Sequence, residues 1–292
     1  EYCPMRGADR PPLTPAQMKE SILNPIGTPR LRDLATGKKR AVIIFDDMTR
    51  PTRIYELAPI LLKELTTGGM QEEDIVFVCA LGTHGALTQN EFRKKLGPEI
   101  VERFRVFNHN IYENCIEVGT TSRGTRLLVN REVMEADLKV AIGCVTAHAQ
   151  VGFSGGGKIV LPGISHVDSI AHYHLQVEAM AKETTGLGNF DNNILRFEIE
   201  EAAIRQALEA AGGHRRKAAE ALAALERSVE ADVRGAWRDA EFAAAGIAAS
   251  AELRALQEEK LAAEVEKFRN GTSTSYLVAQ AQRDLLASQL AE

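Results

Sequence analysis

A-V-I-I-F-D-D-M-T-R-P, residues 41–51, decides the fold. The unbroken apolar run 41–45 leaves no face for water, as in a parallel strand covered on both sides. The polar Asp46-Asp47-Met48-Thr49-Arg50-Pro51 marks its carboxyl end. Upstream, Thr14-Pro15 supplies an N-cap and a first-turn proline for a helix over Ala16–Leu23, which stops before Pro25. Downstream, Leu57, Ile60, Leu61 and Leu65 recur at helical spacing until Gly68-Gly69.

A second unit repeats this logic. After Asp74 comes I-V-F-V-C-A-L, then Gly82-Thr83-His84-Gly85, then a helix opened by Thr88 with Glu91 at capping-box spacing. Phe104–Phe107 reads as a third strand and Leu138–Cys144 as a fourth, buried one. Ile116–Gly119 and Arg126–Val129 suit a hairpin around Ser122-Arg123-Gly124. The expectation is an α/β fold, an open and mostly parallel sheet with flanking helices. Ligands of such sheets lie outside the carboxyl ends of the strands. That rule alone gathers Asp47, Arg50, His84 and His148 on one rim.

The 292 residues have room for one large or two modest domains. All ten prolines precede residue 200, and alanine, glutamate, arginine and leucine dominate beyond it. The boundary is expected at Gly212-Gly213, giving domains 1–211 and 212–292. A helix is read from Ile194 to Ala211. In the tail, Leu222, Leu225, Val229, Val233, Ala236 and Ala240, then Leu261, Val265 and Phe268, step as in long coiled-coil-like helices. The polar break 270–275 separates these from a helix over Tyr276–Leu290.

A net charge of −5 without a basic face argues against nucleic acid as a partner. No apolar run has the ~18 residues of a membrane span. The N-terminus does not read as a signal peptide, so the expected location is the cytoplasm. Cys79 and Cys144 sit in apolar runs and read as reduced core residues.

Several residues can carry chemistry. His84, flanked by Gly82 and Gly85, reads either as a proton shuttle or as an idle loop histidine. His148 follows a strand and reads either as a site residue or as a satisfied core histidine. Lys158 follows Gly155-Gly156-Gly157, whose backbone N–H groups can face a phosphate. Ile159 occupies the Ser/Thr position of a P-loop, so this is not one. An apolar I-V-L-P run after Lys158 would lower its pKa and free the amine as a nucleophile; otherwise it is a surface lysine. A helix is expected from Ser169 through Ala181. Of His166, His172 and His174, one can bind a metal, or all three are solvated. Arg50 can hold a carboxylate, oriented by Asp47, or form a strand-end salt bridge.

Taken in order, D-D-M-T-R-P, L-G-T-H-G and H-A-Q-V-G-F-S-G-G-G-K-I-V-L-P-G-I-S resemble the lactate racemase catalytic-subunit family, the nickel-pincer-nucleotide racemases. N-P-I-G-T-P-R-L and N-N-I-L-R-F-E-I-E-E-A-A extend the resemblance over about residues 20–203. It implies a cofactor, pyridinium-3,5-bisthiocarboxylic acid mononucleotide carrying nickel, held through Lys158 beside Gly155, Gly156 and Gly157. His174 would ligate the metal. His84 and His148 would be the two acid/bases, and Arg50 with Asp47 would bind a small 2-hydroxy acid. The second α/β domain of that family has no counterpart here. Residues 214–292 instead resemble the helices of TolC-type outer-membrane efflux proteins, which implies helical self-association. Two other readings follow: a catalytically incomplete fusion or rearrangement product, and a helical assembly module.

Overall fold

The structure is a computed structural model that describes residues 11–181, 183–210 and 251–291. The chain begins with α1 (Pro15–Leu23) and α2 (Leu31–Ala35), followed by β1 (Ala41–Asp46), α3 (Ile54–Thr67), β2 (Ile75–Ala80), α4 (Gln89–Leu96), α5 (Pro98–Arg103) and β3 (Arg105–Asn108). Next come β4 (Cys115–Thr120), β5 (Arg126–Asn130), α6 (Arg131–Glu135), β6 (Leu138–Ile142), β7 (Ala147–His148) and β8 (Gly152–Phe153). A 3-10 turn, Gly156–Ile159, precedes α7 (Val167–His172), a π-helical turn over Tyr173–Val177, α8 (Glu178–Met180) and α9 (Ile194–Ala210). The capping box expected at Thr88 with Glu91 forms on α4, and Thr14, expected as an N-cap, forms one with Gln17 on α1 as well.

The strand order is β3-β2-β1-β6, every pairing is parallel, and β1 is buried along its whole length. Its alternate residues enter two cores. Ile43 and Phe45 join Phe77, Phe92, Leu61 and Leu65 on the α3/α4 side. Val42 and Ile44 join Val78, Leu161, Tyr173, Leu195 and Ile199 on the α9 side. This two-sided burial is why the run at 41–45 needs no polar position. The hairpin forms as expected, from antiparallel β4 and β5.

The chain runs outward from β1 to β2 and β3, then returns to place β6 on β1's other side. The point of reversal lies between β1 and β6, and a crevice opens there at the strands' carboxyl ends. That topology positions the site.

Three expectations need correction. The fourth strand is not fully buried and stops at Ile142, because β6 pairs only with β1 among the described residues and leaves its other edge open. Cys144 therefore leaves the sheet and is only half-buried, whereas Cys79 is fully buried in β2. The helix expected from Ser169 starts earlier, at Val167, where the His166 ring caps it by accepting from the Asp168 N–H.

The chain divides into two compact units, Leu13–Ser228 and Glu1–Pro12 with Val229–Glu292. In the second, α10 (residues 251–269) and α11 (Ser275–Ala291) are joined by a turn with Gly271 at φ +72° and tied by Lys260 to Asp284 at 2.7 Å. The periodic positions from Leu222 to Ala240 and the boundary expected at Gly212-Gly213 lie outside the described residues. Among the described residues, no helix is long and apolar enough to cross a membrane.

Candidate functional site

A cavity of about 350 Å³ occupies the crevice between β1 and β6. Its wall is contributed by strand ends distant in sequence. Asp47, Thr49 and Arg50 follow β1, Gly82 to His84 follow β2, and Gly143 and Cys144 follow β6. His148, Gln150, Gly155 and Lys158 come from the β7–β8 segment and the turn after it, and His174 from the π-helical turn. The structure thus brings Arg50, Asp47, His84, His148, Lys158 and His174 around one space.

The Asp47 carboxylate organises the first corner. It accepts from the Thr49 N–H at 3.0 Å, from the Thr49 hydroxyl at 2.5 Å, and from His84 Nδ1. Burial alone would raise this carboxyl's pKa; the hydrogen bonds from Thr49 and His84 outweigh it and hold the group below its ordinary range. An ionised Asp47 fixes the His84 proton on Nδ1 and leaves Nε2 to accept.

Asp47 was expected to orient Arg50; the two make no direct contact and are joined through the Thr49 hydroxyl, which donates to Asp47 Oδ1. Arg50 Nη1 instead donates to the Thr49 hydroxyl at 3.0 Å and to the Thr49 carbonyl at 3.4 Å. The Asp47 carboxylate is shared between its own loop, at Oδ1, and His84 after β2, at Oδ2.

The second corner is Lys158 and His148, with Lys158 Nζ 2.8 Å from His148 Nε2. His148 Nδ1 accepts the Gln150 N–H at 3.2 Å. A backbone N–H is always a donor, so the neutral ring carries its proton on Nε2. Above the lowered pKa of Lys158, when the amine has a free lone pair, that proton is donated to Nζ. Burial, with Arg50 and Arg196 nearby, pulls the Lys158 pKa down to about 8. Burial, then Lys158 and Arg50, bring His148 down to about 4. The expected desolvation of Lys158 by its apolar neighbours is therefore present.

The third corner is His174. Its Nδ1 meets Glu178 Oε2 at 3.0 Å, and the other oxygen of Glu178 accepts from Gln150 Nε2 at 2.8 Å. The carboxylate fixes the ring and leaves Nε2 for the cavity, the usual setting of a metal-binding imidazole. The π-helical turn inserts an extra residue per turn, a device frequent at functional sites. His166 caps α7 and reaches the Tyr112 carbonyl, and His172 pairs with the Thr125 hydroxyl, so neither lines the cavity. Among the described residues, no three histidine, cysteine or acidic side chains cluster as a metal cage, so His174 stands as a single imidazole.

The three glycines divide. Gly155 lines the cavity at φ +79°, and a Cβ there would sit 2.9 Å from the Cys144 carbonyl oxygen. Gly156 and Gly157 face α9: a Cβ would lie 3.0 Å from Arg196 Nη2 and 3.1 Å from Ile199 and Ala203, respectively. They let the turn pack on the helix and are not part of the cavity wall.

Sequence reasoning missed Glu178, Gln150 and Lys95. Glu178 lies one helical turn after His174, a spacing that could have pointed to it. Lys95 falls between Phe92 and Leu96 on the buried face of α4, where a lysine needs a reason.

Residues 7–186 match the family model described as the Lactate racemase N-terminal domain. The lactate racemase of Thermoanaerobacterium thermosaccharolyticum is 37% identical over 188 residues, covering 64% of this chain and 44% of that protein. The lactate racemase of Lactiplantibacillus plantarum is 32% identical over 188 residues, with the same two coverages of 64% and 44%. The chain thus spans less than half the length of these curated relatives. Among solved structures, the T. thermosaccharolyticum lactate racemase apoprotein superposes with a TM-score of 0.61 at 34% identity, covering 66% of this chain and 46% of that one. A Thermotoga maritima protein superposes with a TM-score of 0.56 at 27% identity, covering 66% and 48%. The matched segment contains every residue of the cavity wall, and with that match the chain belongs to the lactate racemase family.

Proposed function

We propose that this chain provides the cofactor-binding and proton-transferring part of a racemase for small 2-hydroxy acids, lactate-like in size. The observation that carries the reading is the convergence of Lys158, His174, His84, His148 and Arg50 on one cavity at the sheet's point of reversal. The curated relatives, named lactate racemases, support the same direction.

The residues fit a lysine-tethered nickel-pincer nucleotide. Lys158 presents a partly buried amine of lowered basicity, suited to covalent attachment. His174, held by Glu178, offers Nε2 as a single nitrogen ligand to a borderline metal. When bound, the group supplies a reversible acceptor for the hydrogen on the substrate's 2-carbon.

The chain's own residues do the rest. Arg50 holds the substrate carboxylate as a charge-assisted pair. His84, with its Nδ1 proton fixed by Asp47, takes the hydroxyl proton at Nε2. His148 serves the other face of the substrate: once Lys158 is committed elsewhere, the ring releases the Gln150 N–H, moves its proton to Nδ1 and accepts at Nε2. Two bases on separate segments are what a reaction run from either stereoisomer requires.

The test is to express the chain in cells that make the pincer nucleotide. A mass adduct on Lys158, one bound nickel and conversion of L-lactate to the racemate are expected. An unmodified Lys158 without nickel would refute the assignment.

A further inference from the structure

We infer that Lys95 is a positioning residue of this site, acting through the loop after β1 to hold His84 and Arg50 in place. The inference rests on the proposed roles of those two residues. Lys95 lies on α4, in the next βα unit, and its side chain is only 3% exposed. It donates two hydrogen bonds to backbone carbonyls and pairs its charge with one carboxylate. Nζ lies 2.8 Å from Asp46 Oδ1, 2.8 Å from the Asp47 carbonyl oxygen and 2.9 Å from the Arg50 carbonyl oxygen. One buried cation therefore pins both ends of the segment 47–50. Asp46 is itself fixed from the other side by the Thr52 hydroxyl.

Asp47 and Arg50 carry the groups that matter. Asp47 holds His84 through Nδ1, and Thr49 links Asp47 Oδ1 to Arg50 Nη1. The connected path is Lys95, loop carbonyls, Asp47, His84. A buried lysine that served stability alone would need only its carboxylate partner. This one spends its other two donors on carbonyls at the start and end of the loop. A carbonyl accepts from a lysine's rotatable donors without constraining side-chain identity, so the loop is held by its backbone.

Lys95 neither touches the cavity nor exchanges protons with a substrate. Its removal should release the loop, broaden the placement of Asp47, and free His84 from its Nδ1–H state. It should also weaken binding of a carboxylate by Arg50, since misplacing a charge-assisted contact is worth about tenfold in affinity.

The test compares wild type with Lys95→Met and with the double variant Lys95→Met/Asp46→Asn. The double variant leaves no unpaired buried charge and so preserves folding if the single variant does not. Far-ultraviolet circular dichroism confirms the fold. Two-bond ¹H–¹⁵N correlation of ¹⁵N-histidine protein, with His84→Gln for assignment, reads the tautomer directly. The expected result is Nδ1–H His84 in wild type and a mixed or Nε2–H state in the folded variant, with sodium L-lactate binding about tenfold weaker wherever wild type binds it. A folded variant whose His84 keeps the Nδ1–H state overturns the inference. A wild type that binds no lactate would sink the functional reading alone, since the tautomer is measured without substrate.

Discussion

Lys158 Nζ sits 2.8 Å from His148 Nε2, and the backbone N–H of Gln150 determines which of the two carries the shared proton. The pair keeps a lysine and a histidine in hydrogen-bond contact without two full charges facing each other. A lysine of lowered basicity and a neutral imidazole thereby share one contact at the mouth of a parallel sheet.

The first prediction concerns that amine. Its pKa is lowered from 10.5 to about 8 by burial and by Arg50 and Arg196. Lysine acylation followed by mass spectrometry across pH should give a Lys158 inflection near 8. The linkage has a definite sign. Below pH 8 the lysine is charged in both states and the folded chain bears its desolvation. The penalty fades as pH rises from about 8 to 10.5. Lys158→Met should therefore melt higher than wild type at pH 7, with the gain gone near pH 10.5.

His148 provides the second. Its pKa falls from 6.5 to about 4 through burial first, then Lys158 and Arg50. Its C2 proton should show no titration above pH 5 by NMR. Since the unfolded chain takes the proton more readily, His148 makes the fold less stable as pH drops from 6.5 to about 4. Lys158→Met should raise the His148 midpoint.

The third prediction is metal retention. Glu178→Gln removes the carboxylate that orients His174, and Gln150 loses a charged partner with it. Nickel bound by the cofactor-loaded chain should weaken by about 10- to 100-fold in chelator competition, with the fold unchanged by circular dichroism.

A fourth separates packing from chemistry in the glycine turn. A Cβ at Gly157 would lie 3.1 Å from Ile199 and Ala203 in the core. Gly157→Val should destabilise the fold by about 1–3 kcal/mol in urea denaturation, the range for an overpacked core. In Gly155→Ala, the added methyl meets the Cys144 carbonyl at a positive φ, so that variant should combine lower stability with a narrowed cavity.

Much of this protein was legible from one dimension. The apolar runs at 41–45 and 75–79, the first followed by a helix stopped at Gly68-Gly69 and the second by one opened with the Thr88/Glu91 capping box, specified strands buried on both faces, because no periodicity of two was left for water. Strand ends in such a sheet collect ligand-binding groups, so Arg50, His84 and His148 could be assigned to one rim before any coordinates. Lys158 could be expected to lose basicity because the residues after it are apolar.

Tertiary structure alone decided which partner each group takes. Asp47 is three residues from Arg50 and 37 from His84, yet it holds the histidine, because the loop after β1 folds its carboxylate toward the end of β2. Lys95 reaches the same loop from α4, and the π-helical turn aims His174 inward while His172 turns away to Thr125. Spacing along a chain sets which residues share an element. Hydrogen-bond partners and desolvation depend on groups brought together from separate elements, and those exist only once the sheet has closed its order β3-β2-β1-β6.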